Sequence, residues 1–410
     1  MKIIVQKFGG TSVATHESRQ AVRQKVLNAV DEGYSPVLVV SAMGRKGEPY
    51  ATDTMLNMLK DENSYVDKHE IDFLISCGEN IGTAVVAANL QSVGLKARAL
   101  TGGQAGIITD NKYGSARILK VDTKYLRELL EKDIVPVVCG FQGVTEDGKN
   151  ITTIGRGGSD TTAAALGAAL KAEIVEIYTD VDGIMTADPR MVKTAEVLDC
   201  ISYGEICQLA YQGAKVIHPR AVEIAMQKNI PLMIKSTFSD APGTLITNDV
   251  GEDMCGDDMP ITDNIASGVT YIPDISQIKI SINADNNTAS MDIFDLLAQN
   301  NINVDCLNVH PGEVIFTVEE VNLANALELL QNQDYKNMST EKECAKVSVV
   351  GAGMRGVPGV MATFVRAFSN AGIPILQTVD SNITISAVVS RVYLCPALMA
   401  LHEAFGLTKK

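Results

Sequence analysis

What most constrains this chain is the way its apolar runs end. Between residues 3 and 236, short β-branched runs alternate with amphipathic or alanine-rich stretches, and the runs close on glycine and hydroxyl residues. Continuously apolar runs suit strands buried on both faces, and their alternation with helical stretches predicts an α/β fold with a mainly parallel sheet between helices. The pattern predicts strands at 3–8, 37–42, 96–101, 134–141, 174–180 and 230–236. It predicts helices at 17–32, 69–93, 121–132, 159–171, 203–211 and 218–228.

The loops after these strands gather the candidate chemistry. Lys7-Phe8-Gly9-Gly10-Thr11-Ser12 follows the first strand and precedes a helix. Glycines let backbone approach phosphate oxygens, a helix start offers unpaired N–H donors, and Lys7 adds a point charge. A plain turn is the alternative, and the lysine weighs against it. A second loop runs from Thr153 through Gly155, Arg156, Gly157, Gly158 and Ser159 to Asp160. Ser159 or Asp160 alone reads equally well as a helix cap. Arg156 beside them offers a planar fork for a carboxylate, and Asp160 suits an ammonium or a metal. Together they describe a site for an amino acid. The third cluster is Tyr178-Thr179-Asp180-Val181-Asp182-Gly183, continuing through Asp188-Pro189-Arg190. It fits Mg²⁺ or ribose contacts, or an Asx-rich turn. In Gly213-Ala214-Lys215-Val216-Ile217-His218-Pro219, Lys215 either reaches a phosphate or caps a helix.

The texture changes between Ser239 and Gly268, with an acidic block from Asp249 to Asp258 that holds no basic residue, as a boundary or connector would. Beyond it a β-α-β-β-α order built from 277–282 onward recurs from 346 onward, which predicts two copies of one small α+β unit. They read as packing modules or as effector-binding modules.

Composition narrows the function classes. With 410 residues the chain has room for two to four domains at about 100 to 200 residues each. A net charge of −14 argues against a sequence-independent grip on nucleic acid, so any phosphate site must be built locally. The first strand-like run is too short and too lysine-interrupted for a signal peptide, and no stretch reaches the ~18 apolar residues of a spanning helix. These features predict a cytoplasmic protein with no membrane partner. The eight cysteines lack a C-x-x-C pair and read as buried reduced thiols, and the five histidines show no zinc-like spacing, so no metal site of protein ligands is assigned.

KFGGTSV, SAMG, TTIGRGGSDTTA, YTDVDGIMTADPR and GAKVIHPRAV occur in that order and are followed by the two small repeats. In this the whole chain resembles the aspartate kinase family, and the repeats resemble its paired ACT domains. Within the family it is similar to the single-function bacterial isoenzymes. The resemblance implies an amino acid kinase fold plus two ferredoxin-like βαββαβ ACT regulatory domains. Its implied boundaries are 1–247 for the catalytic domain, 248–265 for the connector, 277–338 for the first ACT domain, and 266–272 with 345–410 for the second. It implies ATP-dependent phosphorylation of the side chain of L-aspartate to 4-phospho-L-aspartate, the first step toward lysine, diaminopimelate, threonine and methionine, with Mg²⁺ as the accompanying ion. It also implies feedback by lysine, diaminopimelate or threonine, and a homodimer or higher homo-oligomer formed through the ACT domains.

The resemblance assigns roles residue by residue. Lys7 and Asp160 are the implied catalytic residues. Lys7, Phe8, Gly9, Gly10, Ser41, Tyr178, Thr179, Asp180, Asp182, Gly183, Arg190, Lys215 and Val216 are implied at the nucleotide. Thr52, Glu79, Arg156, Gly157, Gly158, Ser159 and Asp160 are implied at the substrate, with Ser41 also near its carboxylate end, Glu79 on its ammonium and Arg156 on its α-carboxylate. Asp285, Asn303, Val304 and Asp305 are implied to face the effector. Two departures stand out: Met185 replaces a tyrosine common in relatives, and RKGEPYA lengthens the segment before Thr52. Chemistry agrees with this reading, because a side-chain carboxyl of pKa about 3.9 is already ionised at neutral pH and needs no general base. The competing readings are a kinase acting on glutamate or a nucleotide monophosphate, and a catalytically idle ACT-type sensor. The RGGSD loop and the repeats disfavour the first, and Lys7, Arg156 and Asp160 together disfavour the second.

Overall fold

A computed structural model describes residues 1–63, 65–248, 265–282, 289–332 and 337–408. The expected connector and Asp285 lie largely or wholly outside the described residues. The chain forms two compact units, and they do not follow the chain serially. The first contains Met1–Ile184, Val197–Ala210 and the described residues from Lys215 to Asn248. The second contains Met185–Glu196, Tyr211–Ala214 and the described residues from Ile265 onward.

In the first unit the elements run β1 (Lys2–Phe8), α1 (Gly10–Val13), α2 (His16–Asp31), β2 (Tyr34–Val40), α3 (Thr52–Glu62) and α4 (Lys68–Gln91). They continue through β3 (Ala97–Leu100), β4 (Ile107–Thr109), β5 (Ile118–Val121), α5 (Lys124–Leu130), β6 (Val135–Cys139), β7 (Gln142–Thr145) and β8 (Ile151–Thr153). The unit is completed by α6 (Gly158–Leu170), β9 (Ile174–Thr179), β10 (Cys200–Ile201), α7 (Tyr203–Tyr211), α8 (Pro219–Lys228), β11 (Leu232–Ser236) and β12 (Thr244–Ile246). An eight-stranded sheet has the order β10-β12-β11-β9-β1-β2-β6-β3, parallel except between β11 and β12. Five of the runs predicted as strands form its interior, where they are largely buried, while 96–101 forms the edge strand β3 with Arg98 and Ala99 exposed. Phe8, Leu38, Val40, Val137 and Tyr178 meet Val22 and Val26 of α2 and Val86 and Leu90 of α4 in one core. Since successive strand residues face opposite ways, Lys7 next to Phe8 points to the other face, where α6 lies. Helix α6 is built from small residues because it lies close on the sheet: a Cβ on Gly167 would fall 2.3 Å from Val175 Cγ2.

The structure departs from the sequence reading at 134–141. The run leaves the sheet after Cys139, Phe141 adopts φ +67, and the chain enters a second, four-stranded sheet of order β5-β4-β7-β8. These short strands carry too few residues for a readable period. Helix α4 is long and apolar enough to cross a membrane by length and mean composition alone, although polar residues interrupt its apolar run. Yet it buries Asp72 and Glu79 within the first unit, as a core helix would.

The second unit is a six-stranded antiparallel sheet of order β14-β15-β13-β16-β18-β17. Its strands are β13 (Gly268–Ser281), β14 (Asp305–His310), β15 (Glu313–Glu319), β16 (Met338–Val350), β17 (Gln377–Asp380) and β18 (Thr384–Ser390). Helices Ala289–Gln299 and Leu323–Gln331 accompany the first repeat, and Val360–Asn370 and Leu394–Ala404 the second. Strand β13 is one element where the sequence suggested two. Gly268–Ile272 pairs with Lys346–Val350, and after a register shift Ile275–Ser281 pairs with β15.

Candidate active site

The strand ends of the first unit converge on a cavity of about 290 Å³. Lys7, Gly10, Ser41, Thr52, Glu79, Arg156, Gly157, Gly158, Ser159 and Asp160 all line it. Lys7, at the end of β1, places Nζ 2.7 Å from Asp160 Oδ1 in the first turn of α6, with each side chain 13% exposed. Gly10 is required by space: a Cβ there would lie 2.7 Å from the carbonyl oxygens of Ala42 and Gly44. Ser41, just past β2, donates from Oγ to Ser159 Oγ at 2.9 Å, which ties the β2 loop to the start of α6. In the 153–160 loop Gly155 and Gly157 have φ +85 and +67, and a Cβ on Gly157 would strike His218 at 2.2 Å. Arg156 is exposed at the rim.

Glu79 is the electrostatic anomaly of the cavity. Only 2% exposed, it accepts at Oε1 from the Ala42 N–H at 3.3 Å, while Oε2 has no hydrogen-bond partner. Burial pushes its carboxyl up to about 8, with hydrogen bonds from its surroundings offsetting part of the rise. A buried acceptor left open toward a cavity is costly unless a donor arrives with the ligand.

The residues expected at the nucleotide divide. Thr179 ends β9 and Asp180, Asp182 and Gly183 follow it, outside the cavity lining. Asp180 pairs with Arg45 at 2.6 Å, and Asp182 accepts from the Ser239 hydroxyl. Gly183 packs tightly, with Thr244 Oγ1 and Val197 Cγ1 both within 2.6 Å of where a Cβ would sit. Phe8 and Tyr178 are a correction: their rings stack at 4.8 Å in the core and the Tyr178 hydroxyl bonds Glu176, so only their backbone is available to a ligand. Gly9 lies beside Lys7 Nζ and the Tyr178 carbonyl. Arg190 belongs to the second unit, is exposed and forks onto Asp188, which also meets the Tyr271 hydroxyl. Lys215 is exposed and Val216 half-buried, and neither lines the cavity.

In the second unit Asp305 is paired with the buried Lys346. Asn303 and Val304 precede β14 rather than lying on it. Among the described residues no group of three or more His, Cys, Asp or Glu side chains is placed to hold a metal, and none of the seven described cysteines is in a disulfide.

Sequence reasoning missed Arg45, which stands in the RKGEPYA stretch and supplies the cation facing Asp180. It also missed Asp72 and the role of Arg220, whose partners are distant in sequence. No local pattern marks Arg45 or Asp72, and Arg220 stands within GAKVIHPRAV without any sign there of the carbonyls it meets.

Against this geometry, comparisons with known proteins agree. The amino acid kinase family model matches residues 2–236 and an ACT domain model matches 347–405. The chain is 46% identical over 409 residues to aspartokinase 1 of Bacillus subtilis, covering all of both chains. It is 41% identical over 416 residues to the aspartokinase of Geobacillus stearothermophilus, covering 100% of this chain and 98% of the relative. The crystal structure of E. coli aspartokinase III in complex with aspartate and ADP superposes with a TM-score of 0.75 over 98% of this chain and 99% of that one, at 23% identity, and so shares the fold. From its full-length similarity and its fold, the chain belongs to the aspartokinase family, with an amino acid kinase fold and a C-terminal ACT domain.

Proposed function

We propose that this protein transfers the γ-phosphoryl group of ATP to the side-chain carboxylate of L-aspartate, forming 4-phospho-L-aspartate. The observation that carries this reading is Glu79: a buried carboxyl with one unpartnered oxygen opens into the cavity that Arg156, Lys7 and Asp160 also line. An α-amino acid matches that set. Its ammonium meets Glu79 and its α-carboxylate meets the Arg156 fork. The side-chain carboxylate is then directed toward Lys7, where the transferred phosphoryl group would lie. As the nucleophile is already an anion, the protein's task is to align two anions and offset their repulsion. Lys7 supplies positive charge, and Asp160 holds its ammonium in place at 2.7 Å.

Mg²⁺ fits the site as an ion carried with the nucleotide. It binds through one or two carboxylates plus phosphates and water, and Asp180 and Asp182 are exposed after β9 with no protein cage around them. When bound it would neutralise phosphate charge.

The reading extends to the division 1–247, 248–265, 277–338 and 266–272 with 345–410, and to a cytoplasmic homo-oligomer. Its pathway place is the first step toward lysine, diaminopimelate, threonine and methionine, with one of the first three as inhibitor. Regulation through the ACT region is supported by Met185–Glu196, which follows directly on the Asp180–Gly183 loop yet belongs to the second unit.

Incubation with ATP, Mg²⁺, L-aspartate and hydroxylamine tests the activity. Formation of aspartyl hydroxamate is expected, and its absence with folded protein would overturn the reading.

A further inference from the structure

Asp72 is a fully buried carboxylate that the proposed chemistry does not use. It lies on α4, two turns before Glu79 and close to the same helix face. Every hydrogen bond it makes is one it accepts. The Thr153 N–H donates to Oδ2 at 2.7 Å, the Thr153 hydroxyl to Oδ1 at 2.6 Å, and the Gly114 N–H to both oxygens at 3.0 Å. Thr153 is the last residue of β8, three residues before Arg156, and the two are separated by Gly155 at φ +85. A second charged group holds the same backbone: Arg220 of α8 donates to the carbonyls of Ile154 at 2.9 Å and Ala116 at 3.0 Å. The Ala116 N–H donates to the Thr153 carbonyl at 2.9 Å, so the two backbone segments are joined. Neither Asp72 nor Arg220 lines the cavity.

We propose that Asp72 is a positioning residue for recognition of the amino acid substrate. By pinning Thr153 to α4, it sets the separation between Glu79 and Arg156, which hold the two ends of the α-amino acid group. A carboxylate is expensive to bury, and packing alone is served as well by an apolar side chain of similar volume. What the carboxylate adds is direction: it meets a backbone N–H of the loop's root and that of Gly114 together. Only Ile154 and Gly155 separate Thr153 from Arg156, so the place of Arg156 follows the strand end that Asp72 anchors to α4, with Arg220 holding Ile154 from the other side.

The inference rests on the proposed aspartate phosphorylation, and hydroxamate formation by the wild-type full chain checks that reading separately. In the active enzyme Asp72→Ala is expected to raise KM for aspartate about tenfold or more while kcat and KM for ATP stay within about threefold. Asp72→Asn keeps an acceptor for the two backbone N–H groups and can donate to the Thr153 hydroxyl. It is expected to return KM to within about threefold of wild type. In an Arg156→Lys background, Asp72→Ala should add less than about threefold, because the group it positions is already altered. An unchanged KM for aspartate in folded Asp72→Ala overturns the proposal, as does an undiminished effect in the Arg156→Lys background. If Asp72→Ala does not fold, Thr153→Val removes the hydroxyl bond alone. A rise in KM for aspartate of about two- to fivefold at constant kcat is then expected, and an unchanged KM overturns the proposal.

Discussion

At the scale of single residues, the site works through a few charges whose surroundings matter more than their number. Glu79 makes this testable by pH. Its folded-state pKa, about 8, stands above the ordinary 4.5, so the substrate-free protein holds that proton more tightly than the unfolded chain does. The resulting stability is fully present below pH 4.5 and is lost as pH rises through 8. An incoming ammonium needs the ionised form, so binding must expel the proton below that pH. KM for aspartate is therefore expected to fall by up to about tenfold per pH unit on approaching pH 8 from below. Glu79→Gln should abolish that slope and raise KM, and steady-state kinetics across pH would show both. Lys7→Ala and Asp160→Ala are each expected to lower turnover by about 10² or more, as loss of one charge-stabilising group does, measured by hydroxamate formation. Lys7, Arg156 and Asp160 were legible because cations and anions inside glycine-rich turns are unusual. Glu79 was reached only through the family resemblance, since a glutamate on a long helix carries no signal of its own. Asp72 was silent for the same reason, and its partner Thr153 lies 81 residues away.

Elements decide how those residues are held. The loop from β8 to α6 needs Gly157 both for φ +67 and because His218 fills the space of a Cβ. Gly157→Ala is therefore expected to destabilise the first unit by about 1 to 3 kcal/mol and to raise KM for aspartate, read by denaturant unfolding and kinetics. The segment Met185–Glu196 is held in the second unit in a comparable way. Thr186 Oγ1 bonds His402 Nε2 at 2.9 Å, its carbonyl accepts from the Val269 N–H at 2.8 Å, and Ala187 and Val192 join the core of that unit. Burial keeps the His402 imidazole below its ordinary 6.5, with Glu196 pulling the other way, so the neutral ring that Thr186 meets is lost as pH falls below that range. His402→Ala is expected to raise the effector concentration for half-inhibition at least about threefold while effector-free turnover stays within about twofold, measured with whichever of lysine, diaminopimelate and threonine inhibits. The long apolar strands and the alanine-rich helix were readable in the sequence. The four-stranded sheet was not, because strands of three or four residues show no period.

For the whole molecule, the two units interrupt each other along the chain, so the ACT region cannot be removed cleanly. A chain ending at Asn248 is expected to lose the inhibition proposed for the ACT region, measured by turnover with and without effector. It would also leave Ala187 and Val192 without the helices and strands that bury them, and is expected to be less soluble and to melt lower than the full protein, by light scattering and calorimetry. By itself the sequence determined the order of strands, helices and glycine-rich turns, the doubled C-terminal unit and the small-anion character of the loops. Those follow from backbone preferences and charges that act over a few neighbours. Only the tertiary structure decided which groups are spent in the core and which face the cavity. Tyr178 stacks on Phe8, and Ser41 meets Ser159 across two loops that line the cavity, while Glu79 keeps one oxygen open. Burial of this kind is set by residues that meet from distant parts of the chain, as Phe8 and Tyr178 do, and no local pattern encodes such a meeting.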